Sequence, residues 1–169
     1  GQKFNPNLNF DYQMALLQGQ MGNVELMIDK LFDYAYAKPE FAPTVQSFLS
    51  RFLMENSNES FPAYVKKTLL IRTQKTPDIF WNQFLSWFYV QQKEYDKAFI
   101  QERAIYKRNP ESFYEIVTLA QLAIEDNQDE TAQTILTFVL ENTSDVGLQM
   151  QAHHFLMKMK IENATAKDY

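Results

Sequence analysis

The two histidines are the first residues to consider for metal or acid–base chemistry. His153 and His154 are adjacent, and consecutive residues of a helix do not share a face. Neither has cysteine, aspartate or glutamate partners at the spacing of a metal site. We therefore expect one partly packed and one exposed histidine, and no metal ligand.

Carboxylates offer the other route to catalysis. The pairs Glu125-Asp126 and Asp129-Glu130 surround a predicted turn, where charges are normally solvated. An acid–base role would need a cleft that shifts their pKa values. The four glycines form no phosphate-binding loop and no Gly-x-Ser-x-Gly elbow, and the chain has no cysteine. We predict no catalytic residue, no cofactor and no enzyme; a deep pocket with convergent polar groups would argue otherwise.

Composition narrows the class of protein further. The chain has 169 residues, of which 46% are hydrophobic, and a net charge of −5. That length predicts one domain, and the acidic balance argues against a nucleic-acid surface. No apolar run approaches the ~20 residues of a membrane helix, so we expect no membrane insertion. A chain starting at Gly1 fits a cytoplasmic protein as well as a periplasmic or exported one whose signal was removed, so its location stays open.

The stretch from Trp81 to Pro110 predicts two antiparallel helices. Lys93-Glu94 is a polar break between two apolar stripes, and Asn109-Pro110 ends the second helix, because a residue before proline is pushed out of the helical region. A single hairpin cannot bury both apolar faces and needs neighbours on each side. The stripes recur at helical spacing and consist of Trp81, Phe84, Leu85, Phe88 and Tyr89, followed by Tyr95, Ala98, Phe99 and Ile105.

This hairpin resembles the tetratricopeptide repeat, a 34-residue helical pair. The resemblance is carried by small residues where the helices cross, by residues that fill the space between them and by a closing proline: Leu85-Ser86, Tyr89, Tyr95, Ala98 and Pro110. Two positions depart from the family pattern. Asn82 occupies the tryptophan position, and Glu102 stands where an aromatic residue is usual.

Further units follow in the same phase. Ala132 lies 34 residues after Ala98, and Leu119-Ala120 matches Leu85-Ser86. Upstream, Met27 precedes Ala98 by 71 residues, about two repeats with an insertion near 55–60. The resemblance implies an all-α fold, a right-handed α-solenoid of about four hairpins plus a C-terminal capping or half-repeat helix. The predicted units are 8–41, 42–77, 78–111 and 112–145, with the terminal helix at 147–161, in one domain over 1–169.

Several helix boundaries can be predicted from caps and prolines. We expect the first helix from about Asp11 to Met21, with Asn9 or Asp11 as its cap, and the second from Val24 to Ala37. Ser60 is predicted to cap the fourth helix. The polar tail from Asn163 is expected to be mobile.

The resemblance also implies where a partner would bind, because the first helix of each repeat lines a concave groove in this family. Trp87 is turned away from the packing stripe, and aromatic residues often anchor interfaces; alternatively, Trp87 packs on a neighbouring repeat. Val117 is predicted on the same face. The predicted partner-binding residues are Tyr12, Arg51, Phe80, Gln83, Trp87, Gln91, Tyr114 and Gln121.

Charge suggests which partner would suit this groove. No lysine or arginine lies between Arg108 and Lys158, whereas eight acidic residues do. Such a segment can steer a basic partner, although it can equally serve solubility. The sequence therefore predicts a non-catalytic scaffold that binds a protein or peptide, and its acidic segment would suit a basic one. The alternative is a structural or oligomerisation module that self-associates through its terminal helix, at Phe155 or Met159.

Overall fold

The structure, a computed structural model, describes residues 6–111 and 113–167. These residues form nine α-helices and one 3-10 turn, with no β-strand, so the expected all-α class is confirmed. The helices are α1 Pro6–Gln20, α2 Val24–Ala37, α3 Ala42–Glu55, α4 Ser60–Lys75, α5 Ile79–Gln91, α6 Tyr95–Arg108, α7 Phe113–Glu125, α8 Asp129–Asn142 and α9 Val146–Lys167, and the 3-10 turn is Pro39–Phe41.

Both ends of the described chain are more helical than predicted. The first helix begins at Pro6, because proline is tolerated in a first turn where its missing N–H would be unpaired. Asn9 and Asp11 therefore lie inside α1 and are not its cap. The last helix continues to Lys167, beyond its predicted end at residue 161, and the mobility expected of the tail stays a prediction. Asp168 and Tyr169 lie outside the described residues.

The chain divides into two compact units, one up to Trp81 and one from Asn82 onward. Unit 1 contains α1 to α4 and the first turn of α5, and unit 2 contains the rest of α5 and α6 to α9. The single repeat domain over 1–169 stays a prediction.

One turn geometry joins the helices of three hairpins. Gly22, Lys93 and Asn127 adopt left-handed backbone with φ of 89°, 57° and 59°, and each turn lies where the sequence predicts it. In every case the N–H of the next residue donates to the carbonyl five positions back, as in a Schellman motif. These bonds are Asn23 to Gln18 (2.8 Å), Glu94 to Tyr89 (2.9 Å) and Gln128 to Ala123 (2.8 Å).

The turn between α3 and α4 is longer, as the insertion near residues 55–60 predicts. It runs from Asn56 to Glu59. The Asn58 side-chain oxygen accepts hydrogen bonds from the Ser60 N–H at 3.0 Å and from the Ser60 hydroxyl at 2.7 Å. Ser60 is therefore the first residue of α4 and not its cap: Glu59 occupies the N-cap position without a side-chain cap hydrogen bond, and Asn58 accepts from the first backbone donor of the helix.

Unit 1 is organised around Arg72 of α4. Its guanidinium lies 2.7 Å from the Asp33 carboxylate and 3.8 Å from that of Asp29, both on α2. The same group lies over the ring of Trp81, 5.2 Å from its centroid. The Asp29 carboxylate also accepts a hydrogen bond from the Tyr64 hydroxyl at 2.7 Å. One arginine thus ties α2 to α4 by charge and to the start of α5 by cation–π contact.

The core of unit 2 follows the small-residue pattern predicted for close helix crossings. Ser86, Ala98, Ala120 and Ala132 are all buried. Larger buried side chains fill the space around them, among them Phe84, Leu85, Phe88, Ile116 and Ile135. Because alanine and serine lack bulk beyond Cβ, the helices approach closely and their larger neighbours interdigitate.

The terminal helix packs one face on α8. Leu148, Ala152 and Met159 are buried on that face. His153 and His154 are both exposed, so the expectation that one of them is partly packed is wrong. The reason is their position on the helix, since both lie away from the face that Ala152 presents to α8.

Lys93 offers a direct test of the hairpin turn. A side chain in the left-handed region costs roughly 1–2 kcal/mol, and glycine avoids that cost. Lys93→Gly should therefore raise the free energy of unfolding by about 1 kcal/mol in urea titrations. Gln133→Gly, an exposed site inside α8, is the matched control and should lower it by roughly 0.5–1 kcal/mol. Equal destabilisation by both changes would show that the strain at Lys93 is absent in solution.

Candidate functional site

One cavity in unit 2 brings together three of the predicted groove residues. It has a volume of about 370 Å³, and we call it the Trp87 cavity. Helices α5 and α7 form its walls, and α6 contributes one carboxylate. Its principal lining residues are Gln83, Trp87 and Val90 from α5, Glu102 from α6, and Tyr114 and Leu122 from α7.

The two aromatic residues of the cavity differ in how they are held. Trp87 is half-buried, and its ring meets that of Phe84 edge-on, with centroids 5.5 Å apart and planes at 79°. This edge-to-face contact favours the observed orientation of the indole. Tyr114 lies on the rim and leaves 71% of its surface exposed. Trp87 is thus an aromatic wall that packs on the core, whereas Tyr114 is an exposed ring that an incoming group can cover.

Glu102 is the more buried of the two carboxylates that line the Trp87 cavity. Its Oε1 accepts a hydrogen bond from the buried Ser86 hydroxyl at 2.7 Å. Burial raises the pKa of Glu102, the Ser86 hydrogen bond lowers it, and the Glu115 carboxylate raises it further. Among the described residues, no cation acts on that pKa. The site is therefore a half-buried carboxylate with a like-charged neighbour.

The position of Glu102 explains why sequence reasoning overlooked it. The predicted groove residues all come from first helices, whereas Glu102 lies on α6, the second helix of its hairpin. The one available signal was its departure from the family pattern, where an aromatic residue is usual. From its position on α6, the Glu102 carboxylate reaches the cavity between α5 and α7.

The face that α7 presents to the cavity also differs from the prediction. Val117 was expected to line the groove, yet it is only 4% exposed and belongs to the core. Tyr114, Thr118 and Leu122, spaced four residues apart, line the cavity instead. The predicted Gln121 is half-buried and Gln91 is exposed, and neither lines it.

The remaining predicted groove residues lie in unit 1. The Tyr12 ring lies against that of Tyr34, with centroids 5.7 Å apart. Burial raises the pKa of Tyr12 while the Arg51 charge lowers it, which places Arg51 near the phenol. Phe80 packs edge-on against Trp81 at 4.9 Å, so its ring takes part in the packing of that unit.

Unit 1 has a cavity of its own, which sequence reasoning did not predict. It has a volume of about 380 Å³ and lies between α1 and α2. Asp11 and Asp33 line it together with Lys30 and Lys38. Because charges of both signs are present, this cavity favours neither cations nor anions, in contrast to the Trp87 cavity.

Two further features bear on the chemistry. Across residues 6–111 and 113–167, no three His, Cys, Asp or Glu side chains come close enough to hold a metal ion. Within the same ranges, no helix combines the length and the apolar character needed to span a bilayer.

The raised pKa of Glu102 predicts a stability effect with a definite sign. The folded chain holds this proton more tightly than the unfolded chain, so the stability contributed by Glu102 falls as pH rises from about 4 through the folded pKa. Glu102→Gln keeps an acceptor for Ser86 and removes the charge. We expect its thermal midpoint to exceed that of the parent near pH 7, with the difference shrinking toward pH 4.

The control for this measurement is Glu115→Gln, which changes an exposed carboxylate of the same cavity. Its midpoint should move less, because an exposed charge has little desolvation cost to lose. A Glu102→Gln variant that is less stable than the parent near pH 7 would contradict the desolvation argument.

The Trp87 cavity joins an oriented indole, an exposed phenol and two carboxylates in one open site. Such groups bind by stacking, apolar contact and charge, and the arrangement needs no bound cofactor to do so. Comparisons of the chain with protein-family models, curated proteins and solved structures found no match.

Proposed function

We propose that this chain is a non-catalytic scaffold that binds a protein or peptide at the Trp87 cavity. The observation that carries the proposal is the convergence of Trp87 and Tyr114, from the first helices of two successive hairpins, on one open cavity. Aromatic side chains that leave a pocket open to solvent are common anchors of interfaces.

We further propose that the hairpins are repeats of the tetratricopeptide type, stacked as a right-handed α-solenoid. Recurrence at 34 residues supports this. Helices α5 and α7 begin at Ile79 and Phe113, and the left-handed turn residues are Lys93 and Asn127. A repeat of that length is the one the family uses.

The size of the cavity indicates how a peptide would use it. A volume of about 370 Å³ lies at the lower end of the roughly 300–1,000 Å³ found for ligand pockets. It accommodates one anchoring side chain of a peptide, and the remaining residues would lie across α5 and α7. Since helices hold Trp87 in place before binding, little ordering is required when the partner arrives.

Selection from displayed random peptides tests this function. The parent chain should retain a family of peptides that a Trp87→Ala/Tyr114→Ala variant of unchanged helicity binds at least about tenfold more weakly, which corresponds to roughly 1.4 kcal/mol. Ile100→Ala is the matched control, because Ile100 is exposed in the same unit and lies outside the cavity. Its affinity should equal that of the parent. The proposal fails if the parent selects nothing, or if the double variant binds equally well.

A second candidate function is self-association through α9, and one observation favours it. Besides its buried face, α9 has a second apolar face toward solvent, formed by Val146, Met150, Met157 and Ile161, each between 61% and 67% exposed. Successive members are four, seven and four residues apart, so the pattern is the same from either end of the helix. A face of this kind is self-complementary in an antiparallel pair, as a two-fold interface requires.

The residues that would mediate this contact differ from those predicted. Met159 is 1% exposed and Phe155 is half-buried, so both belong to the inner side of α9. In an antiparallel pair, Met150 would instead face Met157 of the second copy, and Val146 would face Ile161.

Sedimentation equilibrium tests this second function. The parent should show a dimer that dissociates on dilution, and Met150→Lys/Met157→Lys should be a monomer at every concentration, because four charges would enter the contact. Gln151→Lys adds a charge at an exposed position off that face and should leave the dimer intact. A parent chain that is monomeric throughout the micromolar range excludes the function.

A further inference from the structure

We infer that the Trp87 cavity selects an arginine side chain, so that the partner is a peptide or protein segment with an exposed arginine. This inference rests on the proposed function and specifies the chemistry of its partner. Its support comes from the charges, the aromatic walls and the size of the cavity.

The charges of the cavity lining favour a cationic guest. The acidic side chains of the cavity lining are Glu102 and Glu115, and no basic side chain of the described chain lines it. No lysine or arginine occurs between Arg108 and Lys158. The neighbouring Arg103 lies over the Phe99 ring at 5.1 Å and lines a different cavity, with Asp96 and Glu130. No cation among the described residues acts on the pKa of Glu102, so a cation that pairs with this half-buried carboxylate would come from outside them.

Competing anchors fit this cavity less well. An apolar side chain would remove more water from the Glu102 carboxylate without replacing its hydrogen bonds, and leaving a buried acceptor unsatisfied is costly. An acidic side chain would add a third negative charge. A cation offsets the desolvation that raises the pKa of Glu102, because it stabilises the ionised carboxylate, and it does so more strongly than a neutral hydrogen-bond donor.

The aromatic residues favour a guanidinium over other cations. A guanidinium is planar, stacks on aromatic faces and donates two parallel hydrogen bonds to a carboxylate. Ser86 occupies one acceptor site of Glu102, and an ionised carboxylate has about four. An arginine that enters past the exposed Tyr114 can thus stack on Trp87 and reach Glu102 with the tip of its side chain.

Binding of an arginine at this cavity is coupled to the release of a proton from Glu102. An arginine beside Glu102 lowers the pKa of that carboxyl, so binding releases a proton wherever Glu102 is partly protonated in the unbound protein. Affinity for an arginine peptide should therefore increase as pH rises through the titration of Glu102. The other titratable groups lining the cavity are Glu115 and Tyr114 from α7, and α5 contributes none.

The experiment uses the full chain and peptides selected from the random library. We expect arginine to be enriched at one position of the selected peptides. A synthetic peptide in which citrulline replaces that arginine keeps the shape and loses the charge, and it should bind at least about tenfold more weakly. Against Glu102→Gln protein, the two peptides should bind almost equally, because the charge partner is missing. Toward the parent chain, the arginine peptide should lose affinity at low pH, whereas the citrulline peptide should not.

The possible failures are distinguishable. Peptides that need Trp87 but show no arginine enrichment, and tolerate citrulline without loss, overturn the inference and leave the proposed binding function intact. The same holds if Glu102→Gln still distinguishes arginine from citrulline by the full factor. Selection of no peptide by the parent chain overturns the binding function and the inference together.

Discussion

The left-handed residue in the middle of each three-residue turn is the constraint on which the hairpins α1–α2, α5–α6 and α7–α8 depend. It reverses the chain within three residues and satisfies a terminal carbonyl of the first helix through the bond from five positions later. Because Lys93 and Asn127 occupy equivalent places, α5 and α7 start in the same phase. Side chains of these two helices, such as Trp87 and Leu122, line one cavity.

Much of this local geometry could be predicted from the residues. Polar breaks at Lys93-Glu94 and near Asn127 indicated the turns, and α2 has the predicted bounds. Ala98 and Ala132 are buried where small residues were expected. These features depend on neighbours within a few residues or one repeat length, which periodicity reports well.

Features that depend on which helices meet could not be predicted in the same way. Asp29 and Asp33 are four residues apart, as are Thr68 and Arg72, and the structure pairs these two sets. The spacing places each set on one helix face, but nothing in it says that α2 and α4 present those faces to each other. The rotation of α7 that buries Val117 escaped prediction for the same reason, since an amphipathic pattern leaves the edge of its apolar face undefined.

Glu102 shows how a position unfavourable for folding can be informative about function. A carboxylate that is desolvated and lies near Glu115 lowers the stability of the folded state at neutral pH, and an uncharged residue of similar volume would avoid that cost. The hydrogen bond that it accepts from Ser86 is one that glutamine would also accept. The fold alone therefore gives no physical reason for the charge. The proposed cationic guest would supply one, because the desolvation that penalises the ionised carboxylate strengthens its attraction to a cation that binds there.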